Sequence, residues 1–386
     1  MKLTQFLKRQ ALHNKIKMNW KDAATVILTC PNKNAAESWL SDYDVLMLKR
    51  SSNSSFYPNN YVFPGGRIDK ADSSEKWLDV FNSIDSQFID GFKQLKVQQN
   101  DGYRSPLFSL NHDSSKGALS NEVSFRICAI RETFEECGIL LSCNKANEHQ
   151  LEGLASPFQF STVSDVEHWR KKVHDDASAF IDMCSTLKCV PDIWSLHEWC
   201  NWLTPTIAAK VFSKRFDTVF YKTFIPNIPQ YAQQDNNETT NMIWKTPEGI
   251  LEANQLKEVQ LGPPQIYELR RFLNFRKFEE LQKFTFNRRL KGMERWLPLV
   301  AKTSDDKMMM LYPGDRFYPQ EYVNKGAGEL INIPHTYSDM LKIQPPKLNH
   351  LSWKNSEPYA ITCNYEPPYG HVKAIETSVE NLKANL

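Results

Sequence analysis

Three glutamates, Glu132, Glu135 and Glu136, stand at i, i+3 and i+4 in the stretch RETFEECGIL, Arg131 to Leu140. On a helix this spacing puts them on one stripe, where like charges repel by roughly 0.2–0.5 kcal/mol per pair. A cation must offset that repulsion. Magnesium suits the set, because it prefers hard oxygen ligands, takes only a few from protein and fills its other positions with water and phosphate oxygens. Arg131 can pair with Glu135 four residues on, orienting that carboxylate without occupying the ion's place. Taken alone, the triplet fits a solvated acidic helix face better than an ion site, so its surroundings decide.

The element that carries the triplet is well marked. Asn121 to Cys137 has Val123, Ile127, Ile130 and Phe134 on one face, nearly opposite the glutamates, and Gly138 stands where a helix commonly ends. Gly138 to Leu141 then begins another buried segment. Upstream, Ala23 to Leu28 and Tyr43 to Lys49 read as strands, and Pro64, Gly65 and Gly66 end the short strand of YVFPGGRID. Two adjacent glycines allow positive φ and offer backbone amides and carbonyls to a ligand. Between these glycines and the helix the chain is polar and irregular, with one expected helix over Glu75 to Phe92; so long an insertion reads as a unit with its own fold or a lid, and is expected beside the mouth of the site. Ser164 and Glu167 suggest a capping box opening a helix through Met183. RFDTVFYKTFIP and TNMIW read as strands, TPEGILEANQLK as a helix capped at Thr246, and 265–284 as another. Trp194, Trp199 and Trp202 read as packing residues, and the nine histidines, His168, His174 and His197 among them, show no metal spacing.

The stretch Arg131-Glu132-Thr133-Phe134-Glu135-Glu136-Cys137-Gly138-Ile139 resembles the second half of the Nudix hydrolase box, REUxEExGU with U apolar; only Thr133 departs. The box opens with glycine, five residues, then glutamate. With Gly66 as that glycine, the acid falls on Asp72, and Arg131 comes 51 residues later than the family spacing would place it. A second alignment through Gly117 and Glu122 avoids the insertion but has four and eight intervening residues instead of five and seven. Gly66 is preferred, since its double glycine follows a strand. The interrupted box, with FPGGRID and WCNWLTP, is similar to the type-19 branch of peroxisomal coenzyme A diphosphatases. Leu46, Arg50 and Ser51 match that branch's coenzyme A signature loosely, and Ser55 stands where a second arginine is usual.

The resemblance implies an α/β fold, the Nudix α/β/α sandwich, with a long insertion inside the box at about 73–120 and a C-terminal extension. A basic arm over 1–19, a hydrolase domain over 20–290 and the extension over 291–386 are expected. It implies metal-assisted hydrolysis of coenzyme A and acyl-coenzyme A to 3',5'-ADP and (acyl-)4'-phosphopantetheine, with Mg2+, or Mn2+, as cofactor. Glu132 and Glu136 are the leading metal ligands; Glu135 binds a second ion or a metal-bound water and counts with Glu238 as catalytic. Arg50 and Arg67, with Gly65 and Gly66, would face the phosphates. The alternatives are another nucleoside diphosphate derivative (a nucleotide sugar, a dinucleoside polyphosphate or capped RNA) or a Nudix-fold module that only binds.

The remaining composition narrows the partners. With 47 basic and 45 acidic residues, a formal charge of +2, no bulk field draws the chain to nucleic acid. No apolar run approaches the roughly 20 residues of a membrane span. The eight cysteines show no zinc or redox spacing and read as reduced packing residues. The C-terminal Ala384-Asn385-Leu386 resembles a peroxisomal address, implying an import receptor as partner; the basic first residues keep a mitochondrial presequence as the other expectation.

Overall fold

The computed structural model describes residues 20–32, 40–97, 105–109, 119–145, 154–206, 214–325, 330–354 and 357–376. The basic arm, Gly117 and the C-terminal tripeptide lie outside the described residues.

The apolar run AATVIL sits in the central strand. This strand, β1 (Lys21–Pro31), is followed by β2 (Tyr43–Arg50), β3 (Tyr61–Val62), β4 (Gly65–Arg67), β5 (Ser142–Cys143), β6 (Val190–Pro191), β7 (His197–Leu203), β8 (Phe216–Phe224), β9 (Thr239–Lys245) and β10 (Arg295–Trp296). All but β5 and β6, which pair with each other, form one mixed sheet in the order β10-β7-β8-β1-β2-β3; β4 also pairs with β1, and β9 with β2. Covered on both faces and paired on both edges, β1 can be apolar almost throughout. Its alternate residues serve two cores: Ala24, Val26 and Leu28 join one, and Ile27 the other.

Helices cover both faces, giving the α/β/α sandwich. On one side lie Asn121–Cys137, Val163–Asp175 and Ala179–Leu187, whose Ile127, Ile130, Phe134, Val166 and Phe180 are completely buried. On the other, Pro247–Gln255, Pro263–Phe272 and Phe278–Arg288 bury Ile250, Tyr267, Phe272 and Leu281. Burying each large side chain contributes about 1.5–3 kcal/mol, so the face that carries Val123, Ile127, Ile130 and Phe134 anchors the glutamate helix firmly.

Several expectations change. The capping box lies two residues earlier, with Thr162 as cap and Asp165 as its partner, and a second helix begins at Ala179 instead of one running to Met183. The stretch 265–284 breaks between Phe272 and Phe278. The tryptophan-rich segment contains β7, which is buried along its length. The first part of the insertion packs away from the cleft: its helix Lys76–Ile84 sends Trp77, Val80 and Phe81 into the core behind the glutamate helix, and Trp77 meets Phe180 at 5.6 Å. None of its described residues lines the cleft. The aromatic side chains of this polar segment bury in the core that the sheet and the glutamate helix share.

The C-terminal region is more than an appendage. The strands β11 (Leu299–Lys302), β12 (Met308–Leu311), β13 (Ile331–Asn332), β14 (Asn349–Lys354) and β15 (Glu357–Cys363) form a second sheet. Met310, Tyr312, Leu351 and Ile361 complete the core beneath the helices Pro247–Gln255, Pro263–Phe272 and Phe278–Arg288, and β10 extends the main sheet by pairing with β7.

Candidate active site

The site is built where β4 meets the glutamate helix. Gly65 has φ +153°, and a Cβ there would stand 2.4 Å from the Ala24 carbonyl oxygen; a Cβ on Gly66 would stand 2.3 Å from the Glu132 carboxylate. Both positions require the bare backbone. The amide of Gly65 donates to Glu136 Oε2 at 2.8 Å. Gly65 therefore binds a carboxylate directly and Gly66 lets another approach closely, while both line the cleft. The contact with Glu132 also selects Gly66 as the box glycine; Glu122 lies in the helix's first turn, away from the cleft lining.

Arg131 is the hub. Its Nε and Nη2 donate to the two oxygens of Asp72 at 2.7 and 2.9 Å, its Nη1 to Glu132 Oε1 at 2.9 Å and Glu135 Oε1 at 2.6 Å, and its Nη2 also to the Arg67 carbonyl at 3.1 Å. Asp72, the acid at the position the interrupted box predicts, thus fixes the guanidinium from behind with a bidentate pair. Burial opposes the charge on Arg131, but Asp72 and Glu132 outweigh it and raise its pKa.

The carboxylates are poised for a cation. Burial, against the opposing pull of Arg131, pushes Glu132 up to about 8 and Glu135 up to about 6; burial and the charge of Glu132 push Glu136 well above the usual carboxylate range. One arginine cannot neutralise three such groups and Asp72, and a hard divalent ion fits the all-oxygen donor set. Among the described residues no three His, Cys, Asp or Glu side chains converge as a ready-made cage.

Glu238 is held at the rim. Its amide donates to Asp235 at 2.9 Å, its carbonyl accepts from Ser51 at 2.8 Å, and its charge contributes to the upward shifts of Glu135 and Glu136. Arg170 ties this loop to the helix end by donating to the carbonyls of Glu135 and Gln233. Neither this clamp nor His174, whose Nδ1 lies 3.7 Å from Glu135 Oε2, was visible in the sequence.

Glu132, Glu135, Glu238, Arg50, Arg67, Gly65 and Gly66 all line one cleft of about 610 Å³, so the predicted residues assemble in space, with Glu136 just behind them on Gly65. The cleft crosses the sheet: β-pairing aligns Arg67, Ala23, Thr218 and Trp202 in one row over β4, β1, β8 and β7. Three strand spacings make that about 14 Å. Its far end is apolar, lined by Trp202, Leu203, Pro298 and Met310. Trp199 is buried packing as expected; Trp202 packs and also lines the cleft, its indole N–H donating to Glu268 at 2.9 Å.

A mixed sheet between helical layers, with a glycine-backed REUxEExGU helix at one end of an open cleft, defines a Nudix hydrolase site, a class that generally uses divalent metal ions. The chain belongs to the family described as the NUDT19 Nudix domain, which it matches over residues 20–272. Its relatives include proteins named acyl-coenzyme A diphosphatase NUDT19 from three species. The Gallus gallus protein is 34% identical over 95% of this chain and 98% of its own length. For Xenopus laevis the figures are 35%, 94% and 97%. For Homo sapiens they are 31%, 92% and 94%.

Proposed function

We propose that this protein hydrolyses the diphosphate bond of coenzyme A and acyl-coenzyme A, releasing 3',5'-ADP and (acyl-)4'-phosphopantetheine. The observation that carries the reading is the carboxylate face Glu132-Glu135-Glu136 at one end of a long cleft whose other end is apolar. A diphosphate joined to an extended, partly apolar arm has that distribution of charge. The named activity of the three relatives supports the same substrate.

Glu132 and Glu136 would hold Mg2+, or Mn2+, with Glu135 reaching a second ion; such ions neutralise the diphosphate and lower the pKa of an attacking water. The protein's own contribution is positional. Arg131 aims Glu132 and Glu135 while Asp72 keeps it from swinging into the cleft. The Gly65 amide fixes one oxygen of Glu136. Arg50 and Arg67 line the cleft and would bring guanidinium charge to phosphate oxygens. Glu238, exposed on the rim, and the Oε2 of Glu135, which Arg131 leaves open, are the atoms placed to take a proton from water.

The test is incubation with acetyl-coenzyme A and Mg2+, followed by detection of 3',5'-ADP. No product, with Glu136→Gln indistinguishable from the parent, would leave a binding module; turnover of a nucleotide sugar, dinucleoside polyphosphate or capped RNA alone would reassign the substrate. The proposal extends to the compartment, the peroxisome, on the strength of the terminal Ala384-Asn385-Leu386. A fluorescent fusion at the N-terminus that stays diffuse, or one at the C-terminus that enters mitochondria, would overturn it.

A further inference from the structure

The cleft contains a cation that neither the box nor the coenzyme A signature accounts for. Lys214 lies two residues before β8 and lines the cleft, and its Nζ donates to Ser55 Oγ at 2.7 Å. Ser55 is the position at which the signature lacks its second arginine. A lysine from far along the chain thus brings a positive charge to the place where the local sequence has only a hydroxyl.

We propose that Lys214 binds the 3'-phosphate of the substrate's adenosine end and makes that phosphate a requirement for tight binding. This rests on the diphosphatase reading and sharpens it. Coenzyme A carries two anionic groups, the diphosphate and the 3'-phosphate, separated by one ribose ring, so a cleft that accepts the whole molecule needs two cationic centres. Arg50 is close enough to Glu136 to pull its pKa down, and Arg67 gives its carbonyl to Arg131; both belong to the carboxylate end. Lys214 forms no ion pair with an acid among the described residues, so its charge is available to an anion. Next to it, Phe216 and Phe56 lie 5.0 Å apart, and Phe56 meets Tyr57 at 4.8 Å; all three rings line the cleft and are half-buried. Aromatic faces beside a cation are what a purine carrying a phosphate recognises.

The loop is built to hold this arrangement. Arg50 Nε and Nη2 donate to Ser54 Oγ at 3.0 and 2.8 Å, and the Ser54 amide donates to the Ser51 carbonyl at 3.0 Å. Adjacent hydroxyls, Ser54 and Ser55, therefore each hold one cation, Arg50 and Lys214.

The experiment compares acetyl-coenzyme A with its 3'-dephospho analogue, using the full chain with Mg2+. The readout is the ratio of their kcat/KM values in the parent, Lys214→Ala and Lys214→Arg. The parent is expected to prefer the 3'-phosphorylated substrate. In Lys214→Ala the ratio falls about tenfold, through KM, as expected for a lost charge-assisted hydrogen bond near the surface; Lys214→Arg retains most of it. A parent without preference, or a ratio equal in parent and Lys214→Ala, overturns the assignment while leaving the diphosphatase reading in place. A parent that hydrolyses neither substrate overturns that reading, and this one with it.

Discussion

The glutamate helix and the far wall of the cleft are built on opposite principles. Arg131, Glu132, Glu135 and Glu136 lie within six residues of chain, and one helical turn sets their relative positions. The apolar wall that faces them draws Trp202 and Leu203, Pro298, and Met310 from three separate segments. The chemistry is thus encoded locally, and the fit to a particular substrate is encoded by tertiary packing. Substitutions on the helix should accordingly change rate, and those on the wall should change which substrate is used.

The largest effect is expected at Glu136. Glu136→Gln should lower kcat by on the order of a thousandfold or more, yet leave metal-free stability at or above the parent's, because an amide relieves the buried charge and still accepts from Gly65. Steady-state kinetics and denaturant unfolding on the same preparation test both halves; joint loss of activity and fold would make Glu136 structural. Asp72→Ala tests the hub from behind the site. Removing one member of a buried ion pair costs about 3–5 kcal/mol, so urea unfolding should show a stability loss of that order, with activity falling as well. A shift within 0.5 kcal/mol, the usual scale of surface changes, would show that Arg131 does not depend on it.

Gly66→Ala is expected to act next most strongly. The added methyl displaces the Glu132 carboxylate, so kcat should drop roughly tenfold to a hundredfold with overall secondary structure, read by circular dichroism, intact. A smaller change follows from pH. Glu132 is raised to about 8 in the folded protein and would titrate near 4.3 when unfolded. A carboxylate raised in the folded state removes stability as pH climbs through that interval, and below about pH 4 it contributes nothing. In EDTA the parent should lose several degrees of Tm between pH 5 and 8 relative to Glu132→Gln, and Mg2+ should narrow the gap. Equal pH slopes in the two proteins would show that the burial of Glu132 is relieved by other means. The smallest effect belongs to the wall: Met310→Ala should raise KM for long-chain acyl substrates a few-fold and leave acetyl-coenzyme A nearly untouched. An equal change for both would remove the apolar end from substrate recognition.

Much of the site was legible because its signals are short-range. The i, i+3, i+4 spacing, the apolar stripe of Val123, Ile127, Ile130 and Phe134, and Gly138 with φ +76° as C-terminal cap are all consequences of 3.6 residues per turn. Asp72 was found at the expected spacing from Gly66, but its bidentate grip on Arg131 was not, since 59 residues of chain separate the two. Arg170, His174 and Lys214 carried no local signal at all. Each belongs to a segment unremarkable in itself and reaches the site only because the packed elements bring it there. The insertion was misplaced for a related reason: polarity along the chain suggested a lid, while a few aromatic side chains decided where the segment packs.

Taken by itself, the amino-acid sequence determined the reaction-bearing helix, the glycines that must face it, the alternating strands of the sheet and the family to which they belong, because turn geometry and hydrophobic periodicity act over a few residues. Only the tertiary structure decided that Gly65 and Gly66 lie against the carboxylates, that the helix Lys76–Ile84 backs the glutamate helix, that the C-terminal sheet completes the cleft, and that Lys214 meets Ser55. Those outcomes depend on which distant surfaces exclude water together, and no short stretch of chain specifies that.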